Sequence, residues 1–545
     1  MLPGADSHGS SGSPGSPGST DSPDSTGFAS SVDSPGGSSS GSRVTSRSGR
    51  LDARAGAAST RLLVGVFLGG VVAAALISAL LVTIGERMGE TQHPYQLLVA
   101  VDDQTTDPAA WGVNWPSQYE SYLRTTDWQR TRYGGSDAVP VQKLEQSPWL
   151  RAMWSGYAFS LDYRESRGHA FTLHDQDHTQ RVLQREQPGA CLHCHAAVMP
   201  LYEYVGEGDI MEGFRQVSSM PWEEARFYTD AAGNELVQHP VSCMDCHAPN
   251  TMELRITRPG FLVGIAALKE HEEGITGYDP NRDATRQEMR SFVCAQCHVE
   301  YYFEPEDKMV TFPWAQGLKV EEQEAYYDDI GFSDWTHATT GGGMIKAQHP
   351  EFELWAQGTH AAAGVACSDC HMPYQREGAQ KVSDHHVRSP LLNINRSCQT
   401  CHAISEGELF ERVATIQDRT EALIKRSSDA LVDLITVLGA ARALGAGDDE
   451  LAEALQMQRS AQWRIDWIYS EGSHGFHAPQ ESARILAEAM DMARQGERMV
   501  VEMYAGRLDR DAVDIMPPFG VTPDSLAPTR EGPTVPGTPP TAGGN

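Results

Sequence analysis

Five copies of one short pattern, Cys-x-x-Cys-His, are the residues of this 545-residue chain with the clearest chemistry. They use all ten cysteines, which are Cys191, Cys194, Cys243, Cys246, Cys294, Cys297, Cys367, Cys370, Cys398 and Cys401. Two thiols at this spacing can form thioether bonds to the two vinyl groups of one haem, and the next histidine then binds the iron. One copy could be accidental or half of a zinc site. Five copies predict five covalently bound haem c groups.

The histidine that ends each motif is the predicted proximal iron ligand: His195, His247, His298, His371 and His402. A haem that only carries electrons has a second ligand on its other face, usually a histidine. An enzyme leaves one face open for its substrate. The fifteen other histidines of the chain exceed the number needed as second ligands, so counting does not decide between these two cases.

The elements that hold the motifs are predicted to be mainly α-helical. The stretches between the motifs contain short helical runs, with many Gly, Pro, Trp and Tyr residues and few strand patterns. Haems this close along the chain must pack against one another. We therefore predict a mainly α multihaem cytochrome, in which short helices and loops surround the haems of residues 86–404 and long helices follow in residues 405–510.

The long helices are predicted near 405–444, 448–471 and 479–507 from apolar residues at helical spacing. Glycine-containing breaks separate them. Two interpretations are open: the helices pack on the haem-binding part, or they also pair between subunits. We favour pairing and expect a homodimer.

An uncharged apolar stretch, Leu62–Gly85, precedes the haem-binding part and is long enough to cross a membrane as a helix. A cleavable signal peptide is the alternative, but its apolar region is usually shorter. We predict a retained anchor at 61–85, with polar, disordered tails at 1–60 and 511–545. Arginines before the stretch and acidic residues after it place the catalytic part on the extracytoplasmic side, periplasmic or outer.

The formal charge of the chain, −30 at pH 7, argues against nucleic acid as a partner. It also means that an anionic substrate needs a locally positive route to the iron.

Several stretches in a fixed order carry a family resemblance. They are Asp162–His169, Cys294–Tyr302, Phe312–Trp314, Phe332–Trp335, Lys346–Pro350, Trp355–His360, Asp384–His385 and Gly475–Pro479. This set resembles the ammonia-forming pentahaem cytochrome c nitrite reductases. The resemblance implies that the first haem is catalytic and that His169, His360, His385 and His477 are the distal ligands of the other four. His386 and His474 are adjacent alternatives for the last two.

The resemblance also implies three catalytic residues on the open face of the first haem: Arg181, Tyr301 and His349. A guanidinium would bind anionic nitrite, a phenol would donate a hydrogen bond, and an imidazole would supply protons. Without the resemblance, Arg181 could instead pair with a haem propionate, Tyr301 could simply pack, and His349 could be a sixth ligand.

A calcium site is implied by the same resemblance. The ligands would be the side chains of Glu300 and Gln348 and the backbone carbonyls of Tyr301 and Lys346, since oxygen atoms suit a hard cation. The ion would fix the two segments that carry Tyr301 and His349.

The chain departs from many family members at the first motif, where those members have lysine in place of His195. A histidine version also occurs in the family, so the implied activity stands. We expect six-electron reduction of nitrite to ammonium, with hydroxylamine and sulfite as secondary substrates and a membrane quinol-oxidising multihaem cytochrome as electron donor. The alternatives are an electron-transfer conduit without an open iron and a hydroxylamine-oxidising enzyme.

Overall fold

The computed structural model describes residues 52–90, 97–127, 129–134, 141–378 and 380–515 of the chain. The chain divides into two compact units, Met1–Pro94 and Tyr95–Asn545. The predicted tails lie outside the described residues at 1–51 and 516–545, and their disorder stays a prediction.

The described part of the first unit is a single helix, α1, Asp52–Glu90. Its segment Leu62–Ile84 is 23 residues long and has a mean hydropathy of 2.5, and its apolar side chains are exposed. The helix begins within the predicted tail. Four alanines between positions 53 and 58 explain this start, since alanine has the highest helix propensity.

The second unit consists mostly of short α-helices before residue 400 and of three long ones after it. In chain order they are α2 Pro108–Asn114, α3 Pro116–Leu123, α4 Lys143–Gln146, α5 Trp149–Met153, α6 Thr172–Asp177, α7 Gln180–Gln184, α8 Leu192–His195, α9 Met199–Val205, α10 Ile210–Ser219, α11 Trp222–Arg226, α12 Pro259–Glu273, α13 Pro280–Asp283, α14 Arg286–Ala295, α15 Val320–Asp329, α16 Glu351–Ala356, α17 Thr359–Ala362, α18 Cys367–His371, α19 Ile394–Ser397, α20 Glu406–Ala443, α21 Asp448–Ser470 and α22 Pro479–Met503. Single 3-10 turns lie at Arg124–Thr126, Ala158–Ser160, His169–Phe171, Gly189–Cys191, Cys243–Asp245 and Pro390–Leu392.

Strands are few and short, and they form three antiparallel pairs among the described residues. These are β1 Tyr302–Phe303 with β2 Val310–Thr311, β3 Trp335–Thr336 with β4 Gly343–Met344, and β5 Tyr374–Glu377 with β6 Gln380–Ser383. The mainly α fold with long C-terminal helices is therefore confirmed.

The three long helices pack on one another and on the haem-binding part. Helix α20 starts at the cap Ser405, whose hydroxyl accepts a hydrogen bond from the Glu408 N–H at 3.2 Å. Leu434 of α20 is fully buried, and Gly496 of α22 lets the two helices approach closely at this leucine. The same apolar cluster includes Trp154 and Ile345 from the haem-binding part. Residues 95–404 and the long helices thus form one compact unit.

We predict that Leu434→Ala lowers the free energy of unfolding by about 2–5 kcal/mol, because it leaves a cavity between α20 and α22. Denaturant unfolding of the haem-loaded protein, followed by far-UV circular dichroism, measures the change. Leu444→Ala is the control: Leu444 is 48% exposed at the end of the same helix, so its change should stay within about 0.5 kcal/mol. Equal losses for both variants would contradict the packing described above.

Candidate active site

Each Cys-x-x-Cys-His motif forms a short helical turn or follows one. The backbone N–H of the motif histidine donates to the carbonyl of the first cysteine at 2.9 Å in His247, 3.0 Å in His298 and 3.0 Å in His402. A helical turn puts residues three and four apart on the same face. The two cysteines and the histidine of a motif therefore point to the same side of the backbone.

Aspartates inside two of the motifs stabilise these turns. Asp245, in the second motif, accepts from the Ser242 N–H at 2.8 Å, and Asp369, in the fourth, accepts from the Ala366 N–H at 2.8 Å. Each carboxylate thereby caps the turn that it belongs to.

A single cavity of about 2130 Å³ is lined by all ten motif cysteines. Pockets for one small ligand usually have about 300–1,000 Å³, so this cavity has room for several groups in contact with one another. It is lined largely by apolar side chains, as the face of a porphyrin requires.

Four of the five motif histidines face a second histidine across this cavity. The ring centroids are 6.2 Å apart for His247 and His385, 6.3 Å for His402 and His360, 6.4 Å for His298 and His169, and 6.5 Å for His371 and His477. Two imidazoles that share one metal ion at about 2 Å per metal–nitrogen bond have centroids roughly 6 Å apart. The four pairs therefore fit an iron between them.

These pairs include all four predicted distal ligands, and they show which motif histidine each of them faces. His385, and not the adjacent His386, faces His247. His477 faces His371, whereas His474 packs on Tyr133 with ring centroids 4.7 Å apart. The sequence did not pair any cap with its haem, because the partners are far apart in the chain.

Burial lowers the pKa of five of the eight paired imidazoles and so favours the neutral form that metal binding needs. Burial lowers the pKa of His169, His247 and His371 to about 4. At His298 and His477 burial also lowers the pKa, but the carboxylates of Glu351 and Glu471 raise it above its ordinary value. Nδ1 of His247 donates to the carbonyl oxygen of Met252 at 2.9 Å, and Nδ1 of His371 donates to that of Arg388 at 3.1 Å. A hydrogen bond at Nδ1 leaves Nε2 as the ligating atom and fixes the ring orientation.

His195 of the first motif has no imidazole facing it among the described residues. Its Nδ1 atom lies 3.0 Å from the carbonyl oxygen of Thr172, so its Nε2 atom points to the cavity in the same way as in the other motifs. Burial and then the nearby charge of Arg181 lower the pKa of His195, against the effect of the Thr172 hydrogen bond. The first motif thus places one imidazole where it could bind an iron, and none of the histidines in the described part of the chain is paired with it.

Arg181, one of the predicted catalytic residues, lies beside this motif at the start of α7. Its Nη1 atom donates to the carbonyl oxygen of Asp162 at 3.0 Å, and its guanidinium lies 4.3 Å from the ring centroid of Phe159. The hydroxyl of Thr179 caps α7. The guanidinium is half-buried in the wall of the cavity.

Asp162 holds the helix that carries Arg181, a function that the sequence did not reveal. Its fully buried carboxylate accepts from the Gln180 N–H at 2.8 Å, the Thr179 hydroxyl at 3.1 Å and the Gln142 side chain at 2.8 Å. The sequence contained one indication that Asp162 matters: it begins the stretch Asp162–His169, which is part of the family resemblance.

Tyr301 and His349, the other two predicted catalytic residues, line the same cavity as Arg181. Burial raises the pKa of Tyr301 well above its ordinary value, against the nearby charge of Arg181, so the phenol keeps its proton. Burial lowers the pKa of His349 well below its ordinary value, and the nearby His298 and Lys346 act in the same direction. The structure therefore brings the three predicted residues to the wall beside the first motif.

Three of the four predicted calcium ligands, Glu300, Gln348 and Lys346, contact one another next to these two residues. The Glu300 carboxylate is fully buried and accepts from the Gln348 N–H at 2.5 Å and the Tyr327 hydroxyl at 3.0 Å, and the side chain of Gln348 lies 3.5 Å from the Lys346 carbonyl oxygen. Burial raises the pKa of Glu300 well above its ordinary value, and the neighbouring Glu353 contributes. A hard cation would keep this buried carboxylate ionised, so the oxygen donors fit calcium.

A buried ion pair fixes the segment that carries His349. The Lys346 ammonium lies 3.0 Å from the Asp466 carboxylate of α21, and both side chains are fully buried. The other carboxylate oxygen of Asp466 accepts from the Ala347 N–H at 3.1 Å and the Trp154 indole at 3.2 Å. Asp466, which the sequence did not single out, therefore ties this segment to the long helices.

Contacts between motifs show which ones are neighbours. The side chain of Cys194 touches that of Cys297, and Cys294 touches Cys367. The Ser397 hydroxyl donates to the carbonyl of Cys370 at 2.8 Å. The first motif is thus next to the third, the third next to the fourth, and the fourth next to the fifth.

Comparisons with known proteins agree with this arrangement. The family model described as cytochrome c552 matches residues 107–519, about three quarters of the chain. The chain belongs to the cytochrome c552 family. Cytochrome c-552 of Bacteroides fragilis is 38% identical over 455 residues, which are 81% of this chain and 86% of that protein. Cytochrome c-552 of Parabacteroides distasonis is 39% identical over 402 residues, 72% of this chain and 76% of the relative.

A solved structure in the same comparison is the catalytic subunit of cytochrome c nitrite reductase from Desulfovibrio desulfuricans, described with two calcium sites. It is 29% identical, with a TM-score of 0.65, and the match covers 76% of this chain and 90% of that one. Membership of the cytochrome c552 family, together with this structure, confirms the predicted resemblance and the expectation of an enzyme of this class that carries haem c.

We predict that His169→Ala removes the second ligand from the iron bound by His298, because the two imidazoles face each other at iron-binding distance. One low-spin ferric signal in the EPR spectrum should be replaced by a high-spin signal, with the haem content unchanged. His271→Ala on α12 is the matched control, since His271 is exposed and far from any motif in the chain. An unchanged spectrum for His169→Ala would contradict the pairing.

Proposed function

We propose that this protein reduces nitrite to ammonium at the iron held by Cys191, Cys194 and His195. One observation carries the proposal: among the described residues His195 is the motif histidine without a facing imidazole, whereas the other four are paired. An iron in that position keeps one face for a substrate. The solved relative named as a nitrite reductase supports the choice of substrate.

The reaction takes six electrons and eight protons for each nitrite, and it yields ammonium and two waters. Haem, bound through the five motifs, supplies the iron that binds nitrogen and the sites that store electrons. The chain itself must bind an anion, deliver protons and exclude partly reduced products from solvent.

Arg181 binds the nitrite anion beside the first motif. A guanidinium is always charged and carries five N–H donors, one of which is used by the Asp162 carbonyl. The protein has a formal charge of −30, so a fixed positive charge at this point supplies the local attraction that the whole molecule lacks.

Tyr301 and His349 act on the oxygen atoms of the substrate. Tyr301 stays protonated and donates a hydrogen bond from its phenol. His349 is neutral in its buried site and passes protons through its ring nitrogens. Donors fixed in advance by the fold stabilise developing charge without reorganisation, which favours loss of water from the substrate.

Electrons reach the first motif through the four paired positions. The third motif touches the first, and the fourth and fifth motifs follow in contact. With haem bound, the paired imidazoles would occupy both faces of these four irons, which would then carry electrons without binding nitrite. Hydroxylamine and sulfite are secondary substrates that would bind the same open iron through a lone pair.

A calcium ion would join Glu300, Gln348 and the carbonyls of Tyr301 and Lys346. Its function is structural: it would fix the segments that carry two catalytic side chains. The buried carboxylate of Glu300 supports this proposal because it needs a positive charge to remain ionised.

The remaining proposals concern the place of the enzyme in the cell. We infer that Leu62–Ile84 anchors it in a membrane with the catalytic part on the extracytoplasmic side, where c-type haem is attached. A signal sequence would have the same composition.

We also infer a homodimer through the long helices, since α20 has 38 residues and exposes Phe410. The donor would be a membrane quinol-oxidising multihaem cytochrome.

The purified protein, with reduced viologen as electron donor, should form ammonium from nitrite. Its oxidised form should show a high-spin ferric EPR signal that changes when nitrite is added. A protein with only low-spin signals and no turnover would be an electron conduit, and oxidation of hydroxylamine without nitrite reduction would indicate the reverse enzyme.

Within that assay, Arg181→Ala should lower kcat/KM for nitrite by about 10- to 150-fold, because a hydrogen bond to a charged group contributes about 1.5–3 kcal/mol. The haem content should not change. Arg215→Ala, at an exposed arginine paired with Glu212, is the matched control and should leave kcat/KM unaltered. Equal activity of the Arg181 variant and the wild type would remove Arg181 from the mechanism.

Glu300→Gln should lower both bound calcium and nitrite turnover, because the change removes the carboxylate charge from the proposed cation site. Elemental analysis of the dialysed protein measures the metal. Glu306→Gln serves for comparison, since Glu306 is exposed in the same stretch of chain. If Glu300→Gln kept its calcium content at the wild-type level, the site would have to lie elsewhere.

A further inference from the structure

Glu471 is a buried carboxylate that none of the functions above uses. It follows α21 directly, and its side chain is fully buried. Its Oε1 atom is in contact with Nδ1 of His477, the imidazole that faces His371 of the fourth motif.

Its second oxygen is held by the turn that links Glu471 to His477. The Ser473 N–H donates to Oε2 of Glu471 at 3.1 Å, and the Ser473 hydroxyl donates to the same oxygen at 2.7 Å. The N–H of His477 in turn donates to the Ser473 hydroxyl at 3.1 Å. Glycines with positive φ at positions 472 and 475 allow this tight turn. The carboxylate is therefore fixed in place before any iron is bound.

Among the motif histidines and the histidines that face them, the other described Nδ1 partners are weaker. The Nδ1 atoms of His195, His247, His371 and His385 face backbone carbonyls at 2.9–3.1 Å. His298 has a carboxylate, that of Glu351, at 3.7 Å, which is longer than a hydrogen bond. Glu471 thus gives the fourth motif a charged acceptor in direct contact with its distal ligand.

We propose that Glu471 lowers the reduction potential of the fourth haem relative to the potential that a neutral partner of His477 would give. Ferric iron carries one more positive charge than ferrous iron. A carboxylate in contact with Nδ1 makes the imidazole a stronger electron donor, and its negative charge favours the ferric state directly. Burial weakens the screening of that charge. The proposal rests on the pairing of His371 with His477 and does not depend on the substrate.

The position of the fourth motif suggests what a lowered reduction potential at its haem would do. It touches the third motif on one side and the fifth on the other. A low reduction potential at this position favours transfer of an electron onward and disfavours its storage. Glu471 would therefore keep the fourth haem in the ferric state between transfers.

The test is Glu471→Gln in the full-length, haem-loaded protein, followed by potentiometric titration and EPR. Glutamine keeps the size of the side chain and an acceptor oxygen but removes the charge. One midpoint potential should rise, the others should stay, and one low-spin ferric signal should shift. Ser473→Ala, which keeps the charge but removes a hydrogen bond that orients it, should raise the same potential by less. It provides the readout if Glu471→Gln does not accumulate.

Glu421→Gln is the matched control. The Glu421 carboxylate lies 3.3 Å from Nδ1 of His474, the other histidine of this turn. The haem midpoint potentials of the Glu421→Gln variant should equal those of the wild type. Unchanged potentials in Glu471→Gln, or the same rise in Glu421→Gln, would overturn the proposal. His477→Gly tests the pairing itself: if it loses no low-spin ferric signal relative to the wild type, His477 is not a ligand and the proposal fails with the pairing. Absence of nitrite turnover would affect none of these readouts.

Discussion

The spacing of paired imidazoles is the constraint on which the rest of the structure depends. Each pair joins residues far apart in the chain, such as His169 with His298 and His360 with His402, at ring separations of 6.3–6.4 Å. A change of even an ångström would exceed what two metal–nitrogen bonds accommodate. The short helices and loops of residues 95–404 must therefore be fixed by packing around the cavity, since their own length gives them little stability.

Buried polar contacts provide much of that fixing. Arg258 and Asp245 form an ion pair at 2.9 Å that is almost fully buried, and Arg258 also donates to the carbonyl of Ala196 beside the first motif. The pair thus joins the first and second motifs. The ion pair of Lys346 with Asp466 likewise joins the segment that carries His349 to helix α21. Buried charges cost free energy unless they are well paired, but their directionality holds a side chain in one position better than apolar contact does.

The sequence predicted the long helices within a few residues of their ends, for example 405–444 against Glu406–Ala443. Long amphipathic runs with a serine cap and glycine breaks carry this information locally. The start of α1 at Asp52 was not predicted, because the composition of residues 1–60 as a whole is that of a polar tail. Packing of the long helices on the haem-binding part was one of the two interpretations left open, but the contacts that form it, such as Trp154 with Asp466, could not be predicted because they join distant segments.

The sequence by itself predicted the attachment of haem, the cysteines that bind it and the proximal histidines, because each motif lies within five consecutive residues. The resemblance added the distal ligands, Arg181, Tyr301, His349 and the calcium ligands as predictions. Only the tertiary structure decided which of the predicted distal histidines faces which motif and that, among the described residues, no histidine ring faces His195. It also showed that Asp162, Asp466 and Glu471 hold the segments or side chains of the predicted site. These facts depend on distances between residues that are remote in the chain, and such distances are set by the packing of the whole unit.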